Sequence, residues 1–173
     1  MSTDTSTAQT AGNSATAGTS PHVVPPVRFA VDRLAPHINR AMNALDAASR
    51  EVGLEAPLLE LVRARASQLN GCAYCVDTHT KDARSGGESE QRLYALAVWR
   101  ETPFFTARER AALALTEAAT RLTDGPVPDA VVDEAAEHFN PTELAELLWT
   151  ITVINAWNRL GAVARPWPLN VSA

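Results

Sequence analysis

Asn140 to Leu160 reads NPTELAELLWTITVINAWNRL, and this stretch decides the fold class. Its large apolar residues Leu144, Leu147, Leu148, Ile151, Ile154, Trp157 and Leu160 recur at three- and four-residue steps, the period of a helix face. Asn140-Pro141-Thr-Glu143 starts this helix. The same grammar repeats back along the chain. Pro128 to Phe139 reads as a short helix, and Thr106-Ala-Arg-Glu109 is a capping-box pattern ahead of an Ala-rich run through Leu122. Ser89 opens a segment carrying Leu93, Leu96, Ala97 and Trp99.

Further toward the N-terminus, a helix is predicted from about Cys72 to the Gly86-Gly87 pair. Another runs from Pro57 to Asn70-Gly71 with Leu58, Leu61, Val62, Ala66 and Leu69 on a broad apolar face. The first follows Pro36, carries Ile38, Met42, Leu45 and Val52, and stops at Gly53. No run alternates apolar and polar residues around a hairpin turn. The sequence therefore predicts an all-α domain.

Composition narrows the function. The chain has 173 residues, 46% of them apolar and 20% charged, enough for one domain with a real core. A net charge of −5 argues against a surface that tracks phosphates, so no nucleic-acid partner is expected. Residues 1–22 are rich in Ser and Thr and poor in large apolar groups, and are expected to be a disordered tail. Residues 23–173 form the helical domain, entered through the proline-stiffened His22-Val-Val-Pro-Pro-Val27. No stretch approaches the roughly 20 apolar residues of a membrane span, and the N-terminal residues lack the basic start and apolar core of a secretory signal. A cytoplasmic protein without a membrane partner is expected. Structural disulfides are rare in that compartment, so Cys72 and Cys75 point to redox or metal chemistry.

The two cysteines sit in Asn70-Gly-Cys72-Ala-Tyr-Cys75-Val-Asp-Thr-His79. On a helix Cys72, Cys75 and His79 fall within about 60° of one another. Helical Cβ atoms three apart are about 5–6 Å from each other, wider than the 3.8 Å or so of a disulfide. Cys72 at the helix start, just after Gly71, leaves the backbone free to bend and close that gap reversibly. A helix N-terminus also favours the thiolate, and His79, one turn past Cys75, is placed to take its proton and return it to a leaving group. If the two helices run antiparallel about Asn70-Gly71, Glu60 lies level with His79 and can orient the ring. The competing reading makes Glu60 part of a solvated stripe with Arg63 and Ser67, weakly paired to Arg63. Zinc is a second alternative, with Cys72, Cys75, His79 and Glu60 as the local ligands. No second Cys-x-x-Cys or paired His supports it, and no bound metal or cofactor is expected.

Glu60, Cys72 twelve residues on, then Cys75 and His79, resemble the active-site signature of the alkylhydroperoxidase D (AhpD) family within the carboxymuconolactone decarboxylase superfamily. The similarity continues through Arg63-Ala-Arg-Ala-Ser-Gln-Leu-Asn-Gly-Cys72, Thr80-Lys-Asp-Ala-Arg84, Trp99-Arg-Glu-Thr-Pro-Phe104 and Asn155-Ala-Trp-Asn-Arg159, roughly residues 35–165. The resemblance implies an all-helical core assembled as a homotrimer or homohexamer, and reduction of peroxides by the cysteine pair. In that scheme Cys75 is the peroxidatic thiolate, Cys72 resolves its sulfenic acid to a Cys72–Cys75 disulfide, and His79 and Glu60 form the proton relay. The reductant implied is a dihydrolipoyl-type dithiol on a partner protein. Where the best-known members carry a further histidine between the cysteines, this chain has Ala73-Tyr74. The alternative to peroxidase turnover is a dithiol-disulfide oxidoreductase, or a redox sensor or metal clip.

The remaining candidates read blandly. His22, His37 and His138 have no motif around them, and the single lysine, Lys81, has Asp77 and Asp82 for neighbours. Tyr74 lines an access route or simply packs. Trp149 and Trp157, eight apart, read as core or subunit interface.

Overall fold

A computed structural model describes residue 23 and residues 25–169; the predicted tail at 1–22 lies outside the described residues. These contain eight α-helices: α1 (Val31–Leu34), α2 (Pro36–Ala48), α3 (Ala56–Asn70), α4 (Ala73–Ser85), α5 (Glu90–Ala95), α6 (Ala107–Thr120), α7 (Asp129–His138) and α8 (Pro141–Ala164). No strand occurs among the described residues, and none of their helices is long and apolar enough to cross a membrane.

The predicted start signals act as written. Thr106 and Asn140 each close a capping box, with Glu109 and Glu143 returning to the cap backbone. Gly71 adopts a left-handed conformation, φ 65°, and the Cys72 N–H donates to Ser67 O at 3.1 Å, which ends α3 and turns the chain directly into α4.

α3 is the central element, packed against α4, α6 and α8. Leu58, Leu59 and Val62 meet Leu115, Leu147 and Ile151 on one side. Leu61 and Ala64 meet Leu96, Trp99 and Leu113 on the other. A third, smaller cluster joins Ala66 and Ile154 to the two cysteines. Across it, Asn70 Nδ2 donates to Asn155 Oδ1 at 2.9 Å and Asn155 Nδ2 to Thr120 Oγ1 at 2.9 Å, tying α3, α8 and α6 together.

Several boundaries differ from the sequence reading. The helix after Pro36 ends at Ala48 instead of Gly53, and α1 precedes it. The segment after Ser89 is α5 followed by a 3₁₀ stretch over Leu96–Glu101 with a kink at Val98. The larger surprise is orientation. α2 has no buried residue, and Ile38 and Leu45 are 61% and 41% exposed. Its polar side, Asn39, Asn43 and Asp46, faces the protein instead, because there it walls a polar cavity. Trp149 is exposed, while Trp157 packs against the small cluster of Ala66, Ile154 and the two cysteines and also lines that cavity.

Candidate active site

Cys72 is the N-cap of α4, outside the helix proper at φ −85° and ψ 95°, and Cys75 is the third residue inside it. The backbone bend brings their Cα atoms to 5.3 Å, and the two sulfurs are bonded as a disulfide. The Cys75 N–H donates to Cys72 Sγ at 3.4 Å, so the sulfur also caps the helix. Both residues are buried, Cys72 at 1% and Cys75 at 4% exposure. They differ in outlook. Cys75 lines a cavity of about 310 Å³, together with His79, Tyr74, Thr78, Trp157 and Trp167, and Cys72 is absent from that lining.

Glu60 and His79 meet as the antiparallel turn requires: His79 Nδ1 and Glu60 Oε2 are 2.8 Å apart. Burial pushes the Glu60 carboxyl up, but the hydrogen bonds and charges of His79 and Arg63 outweigh it and hold it below the usual carboxylate range. An ionised carboxylate can only accept, so Nδ1 carries the proton and Nε2 is the ring's free base in the neutral form.

The alternative placement of Glu60 on a solvated stripe fails, because Arg63 and Ser67 are 3% and 0% exposed. The Arg63 pairing does exist, with Nη1 donating to Glu60 Oε1 at 2.7 Å, but it is interior and coexists with the His79 bond. Glu60, His79 and Asp82 bring ligand atoms within 4.8 Å of one another, a possible cation cradle. The cysteine sulfurs are committed to each other, so the sulfur-containing zinc set is not assembled in this state. Lys81 is paired with Asp77 at 2.7 Å on the surface.

The sequence reading missed the far wall. α2 and the turn after it supply Asn39, Asn43, Asp46 and Arg50, and the segment after α8 supplies Trp167. Trp167 contacts Tyr74 at a tilted angle and Trp157 edge-on, with ring centroids 5.0 and 5.7 Å away. It also missed Gly161. A Cβ there would lie 2.5 Å from Cys72 Sγ and 3.4 Å from Cys75 Sγ, so α8 approaches the disulfide only because this residue has no side chain. Gly161→Ala should therefore shift the thiol–disulfide equilibrium toward the dithiol, whose sulfurs can rotate apart. Overpacking of this kind costs about 1–3 kcal/mol, whereas Ala gains about 1 kcal/mol over Gly in a helix interior. Titration against a dithiol redox buffer reads the shift, and a wild-type midpoint would discard the role of Gly161.

An all-helical fold with a disulfide-bonded cysteine pair at the start of one helix and a Glu-bonded histidine one turn on defines a class, and comparison with known proteins identifies it. The chain belongs to the carboxymuconolactone decarboxylase family, whose profile matches residues 36–118. It is 37% identical over 133 residues to the uncharacterized protein YdfG of Bacillus subtilis, covering 77% of this chain and 90% of YdfG. Among solved structures it superposes with TM-score 0.82 and 35% identity on ATU0492 of Agrobacterium tumefaciens, covering 85% of this chain and all of that one. ATU0492 is described as of unknown function and assigned provisionally to antioxidant defence as AhpD. An uncharacterized peroxidase-related protein of Silicibacter shares the fold at TM-score 0.67 and 22% identity, covering 75% of this chain and 69% of its own.

Proposed function

We propose that the chain is a thiol-dependent peroxidase that reduces hydroperoxides through Cys75 and Cys72. The observation that carries this reading is the asymmetry of the pair: Cys75 lines the cavity beside His79, and Cys72 lies outside the lining. In the reduced protein His79 Nε2 takes the Cys75 proton, and the helix N-terminus steadies the thiolate. The thiolate attacks the terminal peroxide oxygen, the O–O bond breaks, and the departing alkoxide takes a proton from His79. Cys75 is then a sulfenic acid. The Cys72 sulfur attacks it, releasing water and forming the Cys72–Cys75 disulfide. An external dithiol, of dihydrolipoyl type on a partner protein, restores both thiols by two exchange steps. Glu60 acts by keeping His79 in the right tautomer and stabilising its charged form. We further propose a homotrimer or homohexamer working in the cytoplasm, where dithiol reductants are available; light scattering giving a strict monomer at micromolar concentration would contradict the assembly.

The decisive assay is hydroperoxide turnover with dihydrolipoamide, run beside glutathione and thioredoxin. Sustained consumption with the dithiol supports the enzyme; a single stoichiometric oxidation that changes partner binding instead makes the pair a sensor. The relay gives a sharper expectation. His79→Ala should slow Cys75 oxidation at pH 7 by about 10²–10⁴-fold, with part of the loss recovered as pH rises and the thiol ionises unaided. Glu60→Gln should raise the apparent pKa of Cys75, because loss of the carboxylate weakens the imidazolium that stabilises the thiolate. Pre-steady-state oxidation between pH 6 and 9 measures both, and a wild-type profile in Glu60→Gln would remove Glu60 from the relay.

A further inference from the structure

The cavity in front of Cys75 has a composition that says what enters it. At about 310 Å³, it lies at the small end of ligand pockets, which run from about 300 to 1,000 Å³. Three rings in mutual contact, Tyr74, Trp167 and Trp157, contribute to the lining, and aromatic side chains of this kind suit a flat apolar group. Much of the remaining lining is polar: Asn39 and Asn43 with the carboxylates of Asp32 and Asp46. The one guanidinium in the lining, Arg50, is already engaged. Its Nε donates to Asp46 Oδ2 at 2.9 Å, and its Nη1 is 3.6 Å from Glu60 Oε1. The other Asp46 oxygen accepts from Trp157 Nε1 at 3.2 Å. Asp32 Oδ1 is buried and has no hydrogen-bond partner among the described residues. With Arg50 held by Asp46 and His79 by Glu60, an anionic ligand would meet the unpartnered carboxylate oxygen of Asp32, while a neutral ring meets aromatic side chains.

We infer that the site is selective for compact, uncharged aralkyl hydroperoxides and turns away hydroperoxides that carry a carboxylate, fatty-acid hydroperoxides included. This rests on the peroxidase reading for its chemistry but on the cavity walls for its selectivity. Tyr74, Trp157 and Trp167 hold the ring so that the peroxide faces Cys75. Asp32 supplies the repulsion.

The test uses three substrates with one reactive group: cumene hydroperoxide, its para-carboxylate and the methyl ester of that acid. Each is mixed with the reduced full-length protein at pH 7, and thiol oxidation is followed by stopped flow. The parent and the ester should react at least about tenfold faster than the carboxylate, the scale of one unfavourable charge contact. Asp32→Arg should narrow that gap, and Trp167→Ala should erase the advantage of cumene hydroperoxide over tert-butyl hydroperoxide. Equal rates for ester and carboxylate would overturn the inference. If no hydroperoxide oxidises the thiols, the peroxidase reading fails, and the cavity is judged separately. The unreactive alcohols, 2-phenylpropan-2-ol and its para-carboxylate, are then titrated into the oxidised protein with tryptophan emission as readout. Binding of the neutral alcohol in preference to the anion upholds the selectivity; equal binding, or none of either, rejects it.

Discussion

Cys75→Ser should abolish reaction with hydroperoxide, whereas Cys72→Ser should retain one turnover and stop. The difference follows from position on a single helix turn. Cys75 is the third residue of α4, lines the cavity and stands one turn before His79. Cys72 caps the same helix at 1% exposure, pressed against α8 at Gly161. A serine at 75 removes the sulfur that lines the cavity and that we propose as the nucleophile; a hydroxyl ionises far too reluctantly to replace it. A serine at 72 leaves the attack intact but removes the group that converts the sulfenic acid to a disulfide, so the oxidised product accumulates on Cys75. Dimedone labelling after one equivalent of peroxide, read by peptide mass, should place the adduct on Cys75 in Cys72→Ser and nowhere in Cys75→Ser. A label on Cys72 with surviving activity in Cys75→Ser would reverse the roles.

The largest effect on stability is expected far from that site, at Glu117 of α6. Its carboxylate is 7% exposed and accepts from Arg65 Nε at 2.8 Å, from Trp99 Nε1 at 2.9 Å and from Arg100. Arg65 is itself only 8% exposed on α3. Glu117→Ala would leave that guanidinium buried without its counter-charge, which costs about 3–5 kcal/mol, a large share of the 5–15 kcal/mol or so that holds a domain together. Urea denaturation at pH 7 should show that loss.

The pH dependence has a definite sign. Burial pushes the Glu117 carboxyl up, but hydrogen bonds from Arg100, Trp99 and Arg65 outweigh it and set it below the usual carboxylate range. Its contribution is therefore complete above the unfolded value of about 4.3 and is lost as pH falls through the lower folded value. Glu117→Gln should flatten that acid limb. A wild-type acid limb in Glu117→Gln would show that other carboxylates govern it.

What could be read from the sequence was what is decided locally or across one short turn. Thr106 and Asn140 cap helices because their partners Glu109 and Glu143 are three residues away. Glu60 and His79 meet because Asn70-Gly71 folds two helices back on each other with a fixed register. Gly161 and Trp167 reach Cys72 and Tyr74 from the other end of the chain, and no spacing rule carries that far. For α2 the periodicity grouped Ile38, Met42 and Leu45 as inward, yet only Met42 is half-buried while Ile38 and Leu45 are exposed. Hydrophobic period reports which residues share a face; burial of that face follows only when the opposite one has no polar cavity to enclose.

The ring closed by the Cys72–Cys75 bond spans only the two cysteines and the two residues between them. Cross-linking so short a loop removes little freedom from the unfolded chain, about 2 kcal/mol by the chain-entropy relation. Reduction of the pair would thus leave most of the folding free energy untouched. A bond that made and broke the fold would expose the core at each cycle, to proteases and to aggregation. The bond itself lies at the N-cap and first turn of α4, so what it joins is confined to one end of one helix.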